Sequence, residues 1–291
     1  MRFDIGRLVL NYGGQLVVGA LRWHPAGRSF DGARMRLTPG PSLSIDLFWS
    51  MLNEGGANGF GDGDGYFYGA YANLGPLLGD GIALDAYALA RQTNDAVDAM
   101  GVTVPWALRV HLGGRVKWTG ELLDVRAEAG LQVGRDNSAN AIIAGHLDAE
   151  VGVRLLDGML RFSGHGFVAS GDDPTTSENE GYNQLFPTAH LFLGLTDVMG
   201  ARGNAYGGAL HAQVKPIPQL TFAVDGLVFG RPQTLGENYT GTEFDAQAIW
   251  RPGAGFRIRG LYGIFIPNSG FWGAGSDPVH HVEAKIGYEL N

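Results

Sequence analysis

The chain contains no cysteine, and this absence excludes several kinds of chemistry at once. Disulfide bonds, thiolate nucleophiles and cysteine-based zinc sites all need a residue that the sequence does not have. A composition without cysteine also suits a protein that is exported through an oxidising compartment.

Charged residues are scarce, at 17% of 291 residues, and the formal net charge is −8. The 21 basic residues are spread along the chain, so no basic patch for a nucleic acid is visible. No segment approaches the run of about 18 apolar residues that a transmembrane helix needs. The first ten residues, MRFDIGRLVL, are patterned like a strand and not like a signal peptide. We therefore expect a mature or trimmed form if the protein is exported.

Alternation of apolar and polar residues is the strongest pattern that is present. In the segment 122–132, the odd-numbered residues are apolar and the even-numbered ones are mostly polar or charged. The same alternation recurs in 142–154, 256–264 and 282–290. A period of two residues indicates β-strands with one apolar and one polar face.

About fourteen such segments follow one another, and most are longer than the five or six residues usual in soluble sheets. They are 2–11, 29–39, 42–54, 65–76, 80–93, 105–117, 120–135, 139–155, 158–171, 204–216, 219–231, 242–252, 255–267 and 278–290. Short and long connections alternate between them, as periplasmic turns and extracellular loops do in outer-membrane barrels.

The fold class predicted from this pattern is all-β, a transmembrane antiparallel up-and-down β-barrel of about 14 strands. No domain boundary is visible, so residues 1–291 are predicted to form a single domain. Aromatic residues near the strand ends, such as Trp49, Trp118 and Trp250, agree with girdles at the membrane interface. A soluble β-sandwich or barrel is the less favoured alternative.

Three stretches carry a resemblance to a known family. They are GRLVLNYGGQLVVGALRWHPAGRSFDGARMRL (Gly6–Leu37), YNQLFPTAHLFLGLTDVMG (Tyr182–Gly200) and GTEFDAQAIWRPGAGFRIRGLYGIFIP (Gly241–Pro267). They resemble the opening segment, a long loop and the closing hairpin of the alginate-export family of outer-membrane barrels. The resemblance implies a channel for an acidic polysaccharide. The chain departs from the family pattern at Gly13-Gly14-Gln15-Leu16, at Arg22 and in ending without a terminal aromatic residue.

The strand phases place many charged residues on the face that would line the pore. The predicted pore-lining cations are Arg34, Arg36, Arg91, Arg109, Arg115, Lys117, Arg126, Arg154, Arg161, Lys215, Arg251, Arg257, Arg259 and Lys285. The predicted anions are Asp46, Asp85, Asp124, Glu128, Asp148, Glu150, Asp225, Glu243, Asp245 and Glu283.

Two interpretations of these charges stay open. Guanidinium groups grip carboxylates, so a cationic track would suit an acidic solute. Alternatively, opposite charges pair across neighbouring strands and hold the wall together. Arg257 and Arg259, beside Arg251, form the least balanced cluster and are the residues we expect to contact solute.

The longest connection, 172–203, is predicted to be an extracellular loop and is the candidate constriction of the pore. Its apolar residues need burial, because exposed apolar patches are unfavourable in water. The candidate constriction residues are Leu185, Phe186, His190, Phe192 and Asp197. We expect a turn at Pro187 and a short helix that contains His190. Whether this loop covers the pore or braces its wall is left open by the sequence.

Other kinds of site have little support. Asp62 and Asp64 have a calcium-like spacing, but the later ligands of a calcium loop are missing, so a glycine-rich hairpin is the favoured interpretation. Ser163 and His165 share a face, but no GxSxG motif occurs. We expect no cofactor, no metal and no catalysis.

The predicted function is therefore passive, porin-like transport across the bacterial outer membrane, for an anionic polysaccharide or another acidic solute. The expected partners are outer-membrane lipid and lipopolysaccharide together with that solute; no nucleic acid is expected, and the protein is expected to be a monomer. The alternatives are a general diffusion porin, an engineered or trimmed barrel used as a nanopore or scaffold, and a barrel lipid hydrolase.

Overall fold

A computed structural model describes residues 1–54, 63–75, 81–98, 100–253 and 255–288. In chain order the strands are β1 (Arg2–Leu8), β2 (Phe30–Gly40), β3 (Leu43–Asn53), β4 (Gly65–Asn73), β5 (Ile82–Thr93), β6 (Ala96–Val97), β7 (Thr103–Val104), β8 (Ala107–Thr119), β9 (Leu123–Arg135), β10 (Ala141–Leu155), β11 (Leu160–Ala169), β12 (Ala205–Ile217), β13 (Leu220–Gly230), β14 (Tyr239–Gly253), β15 (Phe256–Pro267) and β16 (Val279–Tyr288). A 3-10 turn spans Ala189–Leu191, and a single helical turn, α1, spans Ser269–Trp272.

Fourteen strands form one sheet in the order β1-β2-β3-β4-β5-β8-β9-β10-β11-β12-β13-β14-β15-β16, which follows the sequence except that β6 and β7 are left out. Each of these strands coincides with one of the fourteen predicted segments. Strands β6 and β7 form a separate hairpin inside the connection 94–104, and the sequence did not predict it. Strands of two residues are too short to show a period.

A sheet in a soluble protein buries its apolar face and exposes its polar face. In this sheet the apolar side chains are exposed and many polar ones are buried. In β10, Ile143, Leu147 and Val151 are exposed, whereas His146 and Asp148 are buried. We call the face that carries the buried charged residues the polar face, and it includes Asp46, Asp85, Asp124, Asp148 and Asp245. The apolar face is the opposite one, with Leu47, Leu147, Leu210, Val224 and Phe244. Exposed apolar side chains over long strands are typical of a lipid-facing surface.

The chain is organised in two compact units, each made of several stretches. The first comprises 1–117, 128–147 and 170–188, and the second comprises 118–127, 148–169 and 189–291. Each is described below by its own contacts. That the chain is a single domain stays a prediction.

Within the described ranges, no helix combines the length and the apolar composition needed for a membrane crossing.

Candidate functional site

The predicted pore-lining residues lie on the polar face, as the phases of their strands require. Register pairs such as Arg36 with Asp46 and Arg259 with Lys285 place these side chains on the same face of adjacent strands. Arg251 lies where the register between β14 and β15 shifts, between Trp250 and Gly253.

In the first unit, Asp46 is the centre of one charged cluster. Its carboxylate pairs with Arg36 at 2.6 Å and with Arg34 at 3.8 Å, and Arg34 also reaches Asp4 at 2.7 Å. The Tyr12 hydroxyl donates to Asp46 Oδ2 at 3.1 Å. Burial, together with the nearby Asp46 charge, raises the pKa of Tyr12, so this phenol is neutral at neutral pH.

A row of aromatic rings continues from Tyr12 across the polar face of the first unit. Tyr12 stacks on Tyr71 with 4.4 Å between ring centroids, and Tyr71 stacks on Tyr87 at 5.7 Å. Next come His111, at 5.4 Å from Tyr87, and His146, at 5.2 Å from His111. All five side chains of this row are buried.

Three arginines of the first unit line one cavity. Arg91, Arg109 and Arg135 surround a space of about 210 Å³ together with Asp136 and Asn183. Arg109 donates to Gln132 Oε1 at 2.7 Å, and the Arg135 guanidinium lies 4.9 Å from the Trp106 ring centroid. Among the described residues that line this cavity, Asp136 is the single carboxylate. The side chains that line this cavity therefore carry a net positive charge.

Ion pairs dominate the polar face of the second unit. Arg126 binds Asp148 at 2.5 Å and Glu150 at 2.8 Å, and Arg161 binds Glu150 at 2.7 Å and Asp124 at 2.5 Å. Arg154 also reaches Asp124, at 3.0 Å. Gly152 makes room for this network, because a Cβ there would lie 2.6 Å from Arg161 Nη2. In the second unit, therefore, opposite charges pair across neighbouring strands, which is one of the two interpretations that the sequence left open.

Asp148 has two further partners. His165 Nε2 lies 2.8 Å from Asp148 Oδ2, and Arg202 Nη1 lies 2.6 Å from the same oxygen. Arg202 is 1% exposed, and its guanidinium lies over the rings of Phe167 at 4.2 Å and Phe192 at 5.3 Å. Sequence reasoning missed Arg202, because it stands outside any alternating segment.

Glu243 and Asp245 receive backbone donors from the long connection. The Leu195 amide donates to Asp245 Oδ2 at 3.0 Å, and the Thr196 amide donates to Glu243 Oε1 at 2.8 Å. The Thr196 hydroxyl donates to Glu243 Oε2 at 2.6 Å. These two predicted anions therefore hold one end of the connection.

The predicted C-terminal cationic cluster is only partly balanced. Lys285 pairs with Glu283 at 2.6 Å, and Arg259 lies 3.7 Å from the same carboxylate. Arg251 and Arg257 are exposed and have no ion pair among the described residues.

The part of the connection that belongs to the first unit also packs on polar-face residues. Phe186 forms a parallel bridge with Val18 and packs against Phe30 and Phe67, with ring centroids 5.1 and 4.7 Å away. Tyr182 packs on His146 at 4.8 Å. The segment contains a strained position, since Leu185 has a φ of 59° without being glycine.

Arg28 ties this part of the connection to the segment between β1 and β2. Its guanidinium donates to the carbonyl of Gly19 at 3.0 Å, to that of Pro187 at 2.8 Å and to that of Phe186. Burial lowers the pKa of Arg28, which nevertheless stays charged because arginine titrates far above neutral pH. Sequence reasoning did not single out Arg28, because its partners lie far along the chain.

The candidate constriction residues are divided between the two units. Leu185 and Phe186 lie in the first unit, and His190, Phe192 and Asp197 lie in the second. The predicted short helix around His190 is the 3-10 turn, and His190 Nδ1 lies 3.0 Å from Asp197 Oδ2. Phe192 contacts the Arg126 guanidinium, with 5.1 Å to its ring centroid.

Asp64, a possible calcium ligand, and the possible serine–histidine pair make contacts that do not build either kind of site. Asp64 accepts from the Tyr66 hydroxyl at 2.9 Å, and Asp62 lies outside the described residues. Ser163 Oγ accepts from Arg161 at 2.9 Å while His165 contacts Asp148, so these contacts do not form a nucleophile–base pair. In the described ranges, no group of three His, Cys, Asp or Glu side chains is arranged to hold a metal.

Comparison with known proteins gives the family. The sequence model of the Alginate export family matches residues 1–245. The chain belongs to this family. Its membership confirms the resemblance that the three sequence stretches carry. No curated protein sequence matches the chain.

Solved structures give the fold of this Alginate export family member. It is similar to the crystal structure of Acinetobacter baumannii OccAB4, with a TM-score of 0.60, 12% identity and coverage of 98% of this chain and 71% of that one. It is also similar to OccD1 (OprD), with a TM-score of 0.53, 13% identity and coverage of 97% and 74%. Together with the family, this fold makes the chain a porin-like barrel channel of the bacterial outer membrane. The family and these similar proteins are channels and not enzymes.

Proposed function

We propose that this outer-membrane channel conducts acidic solutes, an anionic polysaccharide in particular, along a lumen rich in arginine. The cavity bounded by Arg91, Arg109 and Arg135 carries the proposal, because three guanidinium groups meet one carboxylate there. Guanidinium groups bind carboxylates with paired hydrogen bonds, and a cationic surface offsets the desolvation of a polyanion. Arg257 and Arg259 would be a second contact point, and Arg259 lies 3.7 Å from Glu283. The protein is proposed to act as a monomer.

Reversal potentials in planar bilayers under a salt gradient test the proposal. We expect Arg91→Ala and Arg257→Ala/Arg259→Ala to shift the selectivity towards cations and to weaken block by polyuronate. Arg7→Ala is the matched control, since Arg7 pairs with Asp31 on the apolar face and its loss removes the same charge elsewhere. Unchanged selectivity and unchanged block in both variants would contradict the cationic track.

General diffusion is the second candidate function, and the ion pairing of the second unit favours it. Arg126, Arg154 and Arg161 each have a carboxylate partner within 3.0 Å, so their charges are already compensated. A general porin would conduct small ions of both signs and would show no block by polyuronate at concentrations that do not alter the ionic strength.

We further propose that the connection 172–203 constricts this channel. In each unit its residues contact charged groups of the polar face: Gly181 accepts from Arg109 at 2.9 Å, and Leu195 donates to Asp245 at 3.0 Å. Residues that lie against the polar face of a barrel wall occupy space that solute would otherwise use.

A further inference from the structure

On the apolar face of β11 to β14, large and small residues alternate across neighbouring strands. Gly164 is opposite Leu210, Leu210 is opposite Gly226, and Gly226 is opposite Phe244. Leu210 is 75% exposed and Phe244 is 52% exposed. Because Gly226 has no side chain to fill the space between Leu210 and Phe244, a groove lies across the strands.

This groove is sizeable and its walls are apolar. Its volume is about 610 Å³, and Val151, Phe162 and Val224 complete the walls. A second depression of about 240 Å³ adjoins it, since Phe162 and Val224 line both. Asp225, which borders the groove, has its carboxylate bonded to His211 on the polar face, 2.6 Å away. The groove therefore offers hydrocarbon contact and no ion pair.

The groove lies near the short turns of the sheet. β11 begins at Leu160, directly after the turn 156–159, and β12 ends at Ile217, directly before β13. At about 3.3 Å per residue, Gly164 lies roughly 13 Å from the start of its strand. Short turns are periplasmic in bacterial barrels, and the hydrocarbon core is roughly 30 Å thick. The Gly164 end of the groove is therefore in the periplasmic half of the membrane, where the leaflet is built of phospholipid.

We propose that this groove binds one acyl chain of a glycerophospholipid from the periplasmic leaflet. A linear hydrocarbon chain fits a narrow channel between side chains that stand out from the sheet, and the groove is continuous with the lipid-facing surface. A second copy of this chain is the less suitable occupant, because a stable interface buries about 800 Å² of each partner and not a single groove. The proposal rests on the outer-membrane location alone and is independent of the solute that the channel conducts.

Native mass spectrometry of the detergent-extracted protein tests the proposal. A Cβ at Gly226 would meet Phe244 Cδ1 at 3.7 Å, an ordinary contact, and Gly226→Leu is the variant that fills the groove. Gly260→Leu is the matched control on the apolar face of β15, where a Cβ meets nothing within 4 Å. The probes are phosphatidylethanolamine and lipid A, each added at graded concentrations.

We expect the unaltered protein and Gly260→Leu to retain one phosphatidylethanolamine. Gly226→Leu should weaken this retention by about tenfold, because the loss of two methylene contacts suffices for that factor. A phospholipid with a photoreactive acyl chain should label the strand that contains Leu210 in the first two proteins only. Equal retention by Gly226→Leu and Gly260→Leu would overturn the proposal. So would preferential retention of lipid A, or a dimer that Gly226→Leu abolishes.

Discussion

At the scale of single residues, Asp148 is a carboxylate with three cationic or polar partners. Arg126, His165 and Arg202 all lie within 2.8 Å of its oxygens, and the side chain is fully buried. A buried carboxylate is tolerated when its hydrogen-bonding capacity is filled in this way. Removal of the charge takes away the carboxylate that Arg126, His165 and Arg202 all contact.

Asp148→Asn is therefore expected to destabilise the protein by about 3–5 kcal/mol, the cost of breaking a buried ion pair. Asp31→Asn is the control, because its pair with Arg7 is exposed and such pairs contribute about 0–1 kcal/mol. The measurement is equilibrium unfolding of both variants in detergent or lipid. Similar losses for the two variants would show that burial of the pair is not what stabilises it.

Tyr12 gives a prediction about alkaline pH. Its raised pKa means that burial favours the neutral phenol in the folded protein, whereas an exposed tyrosine titrates at 10.0. The stability that this group contributes is complete below that value and is lost as the pH rises further towards the folded-state pKa. Tyr12→Phe should cost about 1–2 kcal/mol at neutral pH, through the lost hydrogen bond to Asp46.

Thermal unfolding of the unaltered protein and Tyr12→Phe, near neutral pH and above pH 10.0, checks this. The difference between the two should shrink in the alkaline sample, because the unaltered protein alone must keep that phenol protonated. A difference that does not depend on pH would show that Tyr12 is not buried against Asp46.

At the scale of elements, the long connection is fastened by side chains that it does not itself supply. Arg28 binds it through carbonyl groups in the first unit, and Glu243 and Asp245 bind it through amides in the second. A connection held in this way needs no regular secondary structure, because its backbone donors and acceptors find partners on the sheet and on Arg28.

Arg28→Ala should free the residues around Pro187 and raise their sensitivity to protease. The three carbonyls that Arg28 binds would lose a charged donor, at roughly 1.5–3 kcal/mol for such hydrogen bonds. Arg22→Ala is the matched control, since Arg22 is an exposed arginine in the same segment as Arg28, between β1 and β2. Limited proteolysis followed by mass spectrometry locates the cleavage. Equal cleavage in the two variants would mean that other contacts, such as those of Phe186, hold the residues around Pro187 in place.

At the scale of the whole molecule, the distribution of polarity agrees with an outer-membrane channel. The apolar face is exposed, as a lipid-facing surface is, and the charged residues lie on the opposite face. The family and the fold place the protein in this class, while the solute and the constriction are proposals.

Deletion of residues 182–200 is expected to raise the single-channel conductance if the connection constricts the pore. The comparable deletion of 232–237, in the connection between β13 and β14, is the control and should leave the conductance closer to that of the intact protein. Bilayer recordings of the refolded proteins measure both. Unchanged conductance after the first deletion, in a protein that still inserts, would mean that the connection braces the wall.

The sequence by itself determined the fourteen strands and the polarity of each face, because a period of two residues is a local property of each segment. Even the charged residues of β9 and β10 could be assigned to one face before any partner was known. Only the tertiary structure decided which carboxylate Arg126 binds, because that choice depends on the register between strands. It also decided that Arg28 reaches Phe186, 158 residues away, and that Arg202 reaches Asp148. Contacts between irregular segments leave no periodic signal in the sequence, since their geometry is set by where the folded sheet places each end of the chain.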